Sequence, residues 1–176
     1  VASIESLLKL APDDAEAIGR VARVTFDHGE PSRAYELNKQ YFDRFGAQLL
    51  GHDRAAALYR LGEAARRVDK LADAKALLQE AVDIDPSSTL PLDSLARLAE
   101  TKGEWEEVVR IKTKKLDMGT PDDRSETLVE IGEVIAVKIG DRTRAAKSYV
   151  QALEDRPGDR RLLTKLMQLY SEEKDW

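Results

Sequence analysis

Cysteine is absent from the 176 residues. The chain therefore has no disulfide framework, no thiolate nucleophile and no thiolate metal ligand, and redox chemistry assigns it no compartment. Histidine occurs only twice, at His28 and His52, which leaves little material for an imidazole metal centre. Within the sequence no apolar run is long enough for a membrane span or a signal-peptide core, because charge interrupts every one. An excess of positive charge is missing too. Lys and Arg number 28 against 33 Asp and Glu, giving a formal net charge of −5 and a pI near 5.2, whereas a module held to nucleic acid by phosphate neutralisation would be basic. The ten glycines include no Gly-x-Gly-x-x-Gly, phosphate loop, nucleophile elbow or calcium-loop spacing.

Helix formers are abundant. Ala and Leu each occur 22 times while β-branched runs are scarce, so helix is favoured nearly everywhere. Apolar residues recur at helical spacing in Leu58, Leu61, Ala65 and Val68, and again in Leu92, Leu95, Leu98 and Ala99, predicting amphipathic helices. Breakers fall between them at Gly29-Glu30-Pro31, Asp85-Pro86-Ser87-Ser88, Lys102-Gly103, Gly119-Thr120-Pro121, Gly140-Asp141 and Arg156-Pro157-Gly158. The pattern then repeats. Val21-Ala22, Leu61-Gly62, Leu95-Ala96, Ile131-Gly132 and Leu166-Met167 follow one another at spacings of 40, 34, 36 and 35 residues, and Pro86, Pro121 and Pro157 keep nearly the same interval. A period of two helices implies a hairpin as the repeating unit. Gly62 and Gly132 each cost about 1 kcal/mol relative to Ala inside a helix. Close approach of a second helix, eased by Ala74, Ala81, Ala145 and Ala152, offsets that cost.

These residues resemble the tetratricopeptide repeat, whose signature reads Trp-x2-Leu-Gly-x2-Tyr, then Ala-x3-Phe, then Pro. The fullest copy spans 55–88, with Leu58, Leu61, Gly62 and Ala65 in the first helix, Ala74, Leu78 and Ala81 in the second, and Pro86 closing it. A later copy supplies Leu128, Ile131, Gly132, Ile135, Ala145, Tyr149, Ala152 and Pro157, with one extra residue expected in its intervening turn. The copy from Thr89 has Leu92, Leu95, Ala96 and Ala99 but Val108 where a small residue is usual. The first copy, with Ile18, Val21, Ala22 and Ala34, has Asn38 at an aromatic position and about six extra residues around Gly46 to His52, predicted to form an extended helix end or a bent connection.

The resemblance implies an all-α fold, a right-handed α-solenoid of stacked antiparallel helix pairs with about ten helices. The expected organisation is a single array: a half-repeat over 1–12, repeats over about 13–52, 53–86, 87–121 and 122–157, and a truncated repeat over 158–176. Lys174-Asp175-Trp176 matches Gly103-Glu104-Trp105 at the start of a second helix, so the array is expected to be a piece of a longer one. Leu163, Leu166, Met167 and Tyr170 would then lack a neighbour, and end-to-end self-association is expected through that face.

No catalytic residue, metal site or cofactor is predicted. His28 and His52 sit beside turn acids Asp27 and Asp53 without any metal-ligand spacing. The pairs Glu106-Glu107, Asp122-Asp123 and Glu172-Glu173 read as caps and solvated faces, and Lys112, Lys114 and Lys115 as a solvated basic run near a helix C-terminus. Trp105 and Trp176 are expected to pack on the preceding helix, and Tyr35, Tyr41, Phe42 and Phe45 to serve core or inter-repeat contacts. What remains is the concave surface that first helices form in the resembling family. Aligned on the small-residue position, its lining is Arg20, Arg23, Tyr59, Arg60, Glu63, Arg67, Asp93, Arg97, Glu130, Glu133, Lys165 and Gln168. The early part is basic and the later part more acidic. The resemblance thus implies a non-enzymatic protein-interaction scaffold binding a partner protein or peptide, one with an acidic segment fitting the arginines. No nucleic acid or membrane partner is expected, and cytoplasm is the default location. A pentatricopeptide-like RNA-binding module and a non-catalytic accessory region of a larger enzyme are the alternatives.

Overall fold

The computed structural model describes residues 14–172, all helix and connection, with nine helices and no strand among them. The expected half-repeat at 1–12 and Trp176 lie outside the described residues. Two compact units divide the chain, one through Ser94 and the other from Leu95.

In the first unit, α1 (Ala15–His28) and α2 (Pro31–Phe45) form one hairpin, and α3 (Gly51–Arg67) and α4 (Leu71–Ile84) the next; α5 (Thr89–Lys102) carries the boundary. The starts of α1 and α2 have a local cause. The Asp14 carboxylate accepts hydrogen bonds from the Glu16 and Ala17 backbone amides at 2.9 and 3.1 Å, and Glu30 does the same for Ser32 and Arg33 ahead of Pro31. Val21, Ala22 and Leu37 form the α1–α2 core with Tyr41 against it. Asn38 keeps its place there by hydrogen bonding: its buried Nδ2 donates to the Ala22 carbonyl at 3.0 Å and the Ala34 carbonyl at 2.9 Å. The extra residues after α2 make a bent connection, a 3-10 turn at Gly46–Gln48, pinned by Arg54 Nη1 donating to the Gly46 carbonyl at 2.7 Å. Two aromatic residues of α2 work between hairpins, since Phe42 lies under Arg54 and Tyr35 under Lys70. Between α3 and α4 the approach is as close as Gly62 implies, for a Cβ there would lie 2.9 Å from Leu78 Cγ.

The second unit contains α6 (Trp105–Lys114), α7 (Pro121–Val134), α8 (Arg142–Asp155) and α9 (Arg160–Glu172). Thr120 and Asp123 close a capping box on α7, with Pro121 in its first turn. The extra residue of this repeat is taken up inside the helix rather than in the turn. A π turn over Ile135–Ile139 extends α7, and the Gly140 amide donates to the Ile135 carbonyl, five residues back, at 2.8 Å. Gly140 ends it with φ 83°, a left-handed conformation that favours glycine. Gly132 lies so close to α8 that a Cβ would collide with the Tyr149 ring. Leu128, Tyr149, Ala152, Leu162 and Leu166 form one core cluster, and Val109, Ile131, Ile135 and Ala145 another. Trp105 is half-buried with the Lys138 ammonium 5.0 Å from its ring centre, so its partner comes from the π turn of the following hairpin. On α9, Leu163, Met167 and Tyr170 are exposed, at 44, 72 and 52%, while Leu166 is buried.

Candidate functional site

All twelve lining residues lie on the helices that open hairpins: two on α1, four on α3, two on α5, two on α7 and two on α9. Apart from the adjacent Tyr59 and Arg60, spacings of three and four residues place them on one face of each helix. Their surroundings divide them more sharply than their positions do.

In the first unit a pocket of about 270 Å³ is walled by Arg23, Phe26, Tyr59, Arg60, Leu90 and Pro91, with Asp27, His52 and Asp85 at its polar margin. The Phe26 and Tyr59 rings meet edge to face at 6.0 Å. Arg60 is half-buried, and its Nε is enclosed without a hydrogen-bond partner. Burial, and next the nearby Arg23 charge, push the Arg60 guanidinium below its ordinary value, while Asp27 and Asp53 act on it through space. Asp85 is already occupied. It accepts from the Ser87 hydroxyl at 2.6 Å and pairs with His52 Nδ1 at 2.8 Å; these bonds, Ser87 first, hold its carboxyl below the usual range.

Other residues of the expected lining hold the walls. Glu63 is buried, with 3% of its surface exposed, and accepts hydrogen bonds from Arg66 at 2.9 and 2.8 Å and Arg67 at 3.3 Å. Burial alone would raise its carboxyl. Hydrogen bonds from Arg66, Ser94 and Arg67 outweigh that and hold it below the usual range. Arg67 continues to α1, donating Nη1 to the Phe26 carbonyl at 2.8 Å and stacking 4.4 Å from the centre of the Phe26 ring. Glu63 and Arg67 therefore fix the geometry around Phe26. Arg20 is exposed and paired with Glu16 at 3.2 Å.

In the second unit the expected acidic character is neutralised. Glu130 pairs with Lys112 and Glu133 with Lys165, both at 2.7 Å. Lys112, expected in a solvated run, has a side chain only 16% exposed and bridges α6 to α7. A pocket of about 480 Å³ beside the Glu133–Lys165 pair is lined also by Val137, Tyr149, Gln168 and Leu169. Val137, on the π turn, is 76% exposed. Asp93 is half-buried and Arg97 exposed. Sequence reasoning missed Phe26, although it follows Arg23 by three residues on the same face, and it missed the partnership of His52 with Asp85, which are 33 residues apart. Among the described residues no three His, Cys, Asp or Glu come together as metal ligands, and no helix is long and apolar enough to cross a membrane.

No family model matches the sequence, and no curated protein matches it. Solved structures do match. A crystal structure of MamA is similar with a TM-score of 0.72 and 22% identity, over 89% of this chain and 80% of that one. The C-terminal part of a TPR repeat-containing protein from Cytophaga hutchinsonii is similar with a TM-score of 0.72 and 18% identity, over 96 and 64%. YrrB, described as a TPR protein with an unusual peptide-binding site, is similar with a TM-score of 0.66 and 17% identity, over 95 and 81%. The fold of this chain is thus the tetratricopeptide-repeat fold, an all-helical repeat of antiparallel pairs.

Proposed function

We propose that this chain is a protein-interaction scaffold that binds a partner peptide or protein along the exposed faces of its first helices, with an acidic segment of the partner meeting the first unit. The pocket around Arg23 and Arg60 carries this reading. It combines aromatic and aliphatic walls with the charge of a half-buried arginine whose enclosed Nε has no partner, the combination of anchor and charge that recurs at binding hot spots. In the second unit the expected acidic lining is self-paired, so charge-dependent binding is assigned to the first unit alone. The fold agrees with such a role, since arrays of this kind present rigid extended surfaces, and YrrB is itself described as peptide-binding. Binding without catalysis fits a surface whose paired acids serve caps and ion pairs. The test is titration of the chain with acidic peptides and with the same peptides carrying Asn and Gln for Asp and Glu. Binding that ignores that exchange would end the acidic reading.

The bare stripe of Leu163, Met167 and Tyr170 on α9 supports a second reading, self-association of the chain through this face. Light scattering across a concentration series reads it, and a strict monomer at high concentration would remove it.

A further inference from the structure

We infer that two copies of the chain pair antiparallel through α8 and α9 as a closed two-fold dimer, in which Lys147 of each copy meets the partner's Glu154 beside a central contact of Val150. This rests on the self-association reading above and fixes its partner, direction and symmetry. The carrying observation is a face of α8 that matches itself when turned end for end. Lys147, Val150 and Glu154 follow one another at spacings of three and four residues, so they share one side of the helix. All three are exposed. Among the described residues neither Lys147 nor Glu154 has an ion-pair partner, although Arg144 and Asp155 of the same helix are paired, with Glu106 and Arg124. Lys147 and Glu154 stand two turns apart, about 10 Å along the helix. A parallel copy would set lysine on lysine and glutamate on glutamate. A two-fold axis passing between Val150 and Gln151 sets each lysine on a glutamate instead, makes that pair twice and brings the two Val150 side chains together.

The neighbouring helix completes the surface. Leu163, Met167 and Tyr170 form an exposed apolar stripe on α9. A groove of about 420 Å³ separates the two helices, walled by Ala146, Val150 and Gln151 from α8 and by Leu169 and Tyr170 from α9, with Lys147 also on its lining. A helix laid antiparallel on α8 in this groove covers Val150 and the α9 stripe together. The chain joins its own helices by the same device, for Arg144 of α8 donates Nη1 and Nη2 to Glu106 of α6 at 2.7 and 2.9 Å. The self-match favours a second copy over other occupants of the groove. An unrelated helix has no reason to repeat the order of Lys147 and Glu154 in reverse, and an anionic membrane would meet Glu154 as a like charge. An isologous contact of this kind closes at two copies, whereas stacking the end of one array on the start of another keeps growing.

The test measures the mass of the intact chain by sedimentation equilibrium over a concentration series. The unmodified chain is expected to reach a dimer and go no further. Lys147→Glu and Glu154→Lys each turn both symmetric pairs into like-charge pairs and should weaken the dimer roughly 10- to 100-fold. An equimolar mixture of the two variants should regain it as a heterodimer, and the double variant should regain it alone. Weakening in the single variants that neither the mixture nor the double variant recovers overturns the antiparallel pairing. Association indifferent to both reversals, or growth beyond the dimer, overturns this interface and leaves the self-association reading standing. A strict monomer at high concentration ends both, and one that sediments with vesicles of phosphatidylcholine and phosphatidylserine gives the face to a membrane instead.

Discussion

At the scale of residues, Glu63 and the two glycines of the tight crossings govern stability. Glu63→Gln removes the charge that Arg66 and Arg67 share and is expected to lower unfolding free energy by about 1–3 kcal/mol, measured by urea titration with circular dichroism. The pH dependence follows from the direction of its shift. The folded carboxyl titrates below its ordinary value of 4.5, so its contribution is complete above that value and is lost as pH falls through the lowered one. In Glu63→Gln that part of the acid loss should vanish. Gly132→Ala gains about 1 kcal/mol of helix propensity but drives a methyl into the Tyr149 ring, an overpacking that costs about 1–3 kcal/mol. The expected result is net destabilisation, relieved in the double variant Gly132→Ala with Tyr149→Leu. The glycines were legible as close approaches from their place in the repeat. Burial of Glu63 was not, because its spacing matches the exposed face, while its partners Arg66 and Ser94 lie outside that pattern. Asn38 was legible as a misfit, but its partner across the hairpin, the Ala22 carbonyl, lies 16 residues away and no local pattern shows it.

At the scale of elements, helix number, order and breaks could be read from period and punctuation, because caps and prolines act locally. Thr120→Ala should cost about 1 kcal/mol, the worth of an N-cap, read as a lowered thermal midpoint. The π turn could not be placed. Sequence counts the surplus residue between Gly132 and Ala145 but does not say whether helix or turn absorbs it, and tertiary packing of Ile135 decides for the helix. Deleting Val137, exposed and without a core role, restores the shorter spacing of the 55–88 copy. The chain is expected to keep its helical content with a smaller loss of stability than Gly132→Ala, while the second unit's pocket changes shape. Loss of cooperative unfolding in the deletion would contradict this account of the π turn.

At the scale of the whole molecule, the two units handle charge differently. In the second, Lys112–Glu130 and Lys165–Glu133 join neighbouring helices; in the first, Arg23 and Arg60 line the pocket, and the proposed acidic ligand would meet them there. Rising ionic strength should therefore weaken acidic-peptide binding while leaving any apolar contact of the second unit nearly unchanged, which titrations at several salt concentrations would separate. The fold was legible because every repeat restates it. The site was legible only as a list of outward positions, since ion pairs and hydrogen bonds between hairpins bring together residues 18 to 41 apart whose pairing no periodicity encodes. One asymmetry has a consequence for how the molecule comes apart. Helix α9 packs through Leu162 and Leu166 on α8, while its Leu163, Met167 and Tyr170 are exposed among the described residues. Among the described residues α9 buries only Leu162 and Leu166, fewer than α7 or α8, so it has the least to lose on release of the three. Amide hydrogen exchange should find it opening first and α8 second, an unzipping in which the tail departs well before the Gly132–Tyr149 crossing gives way.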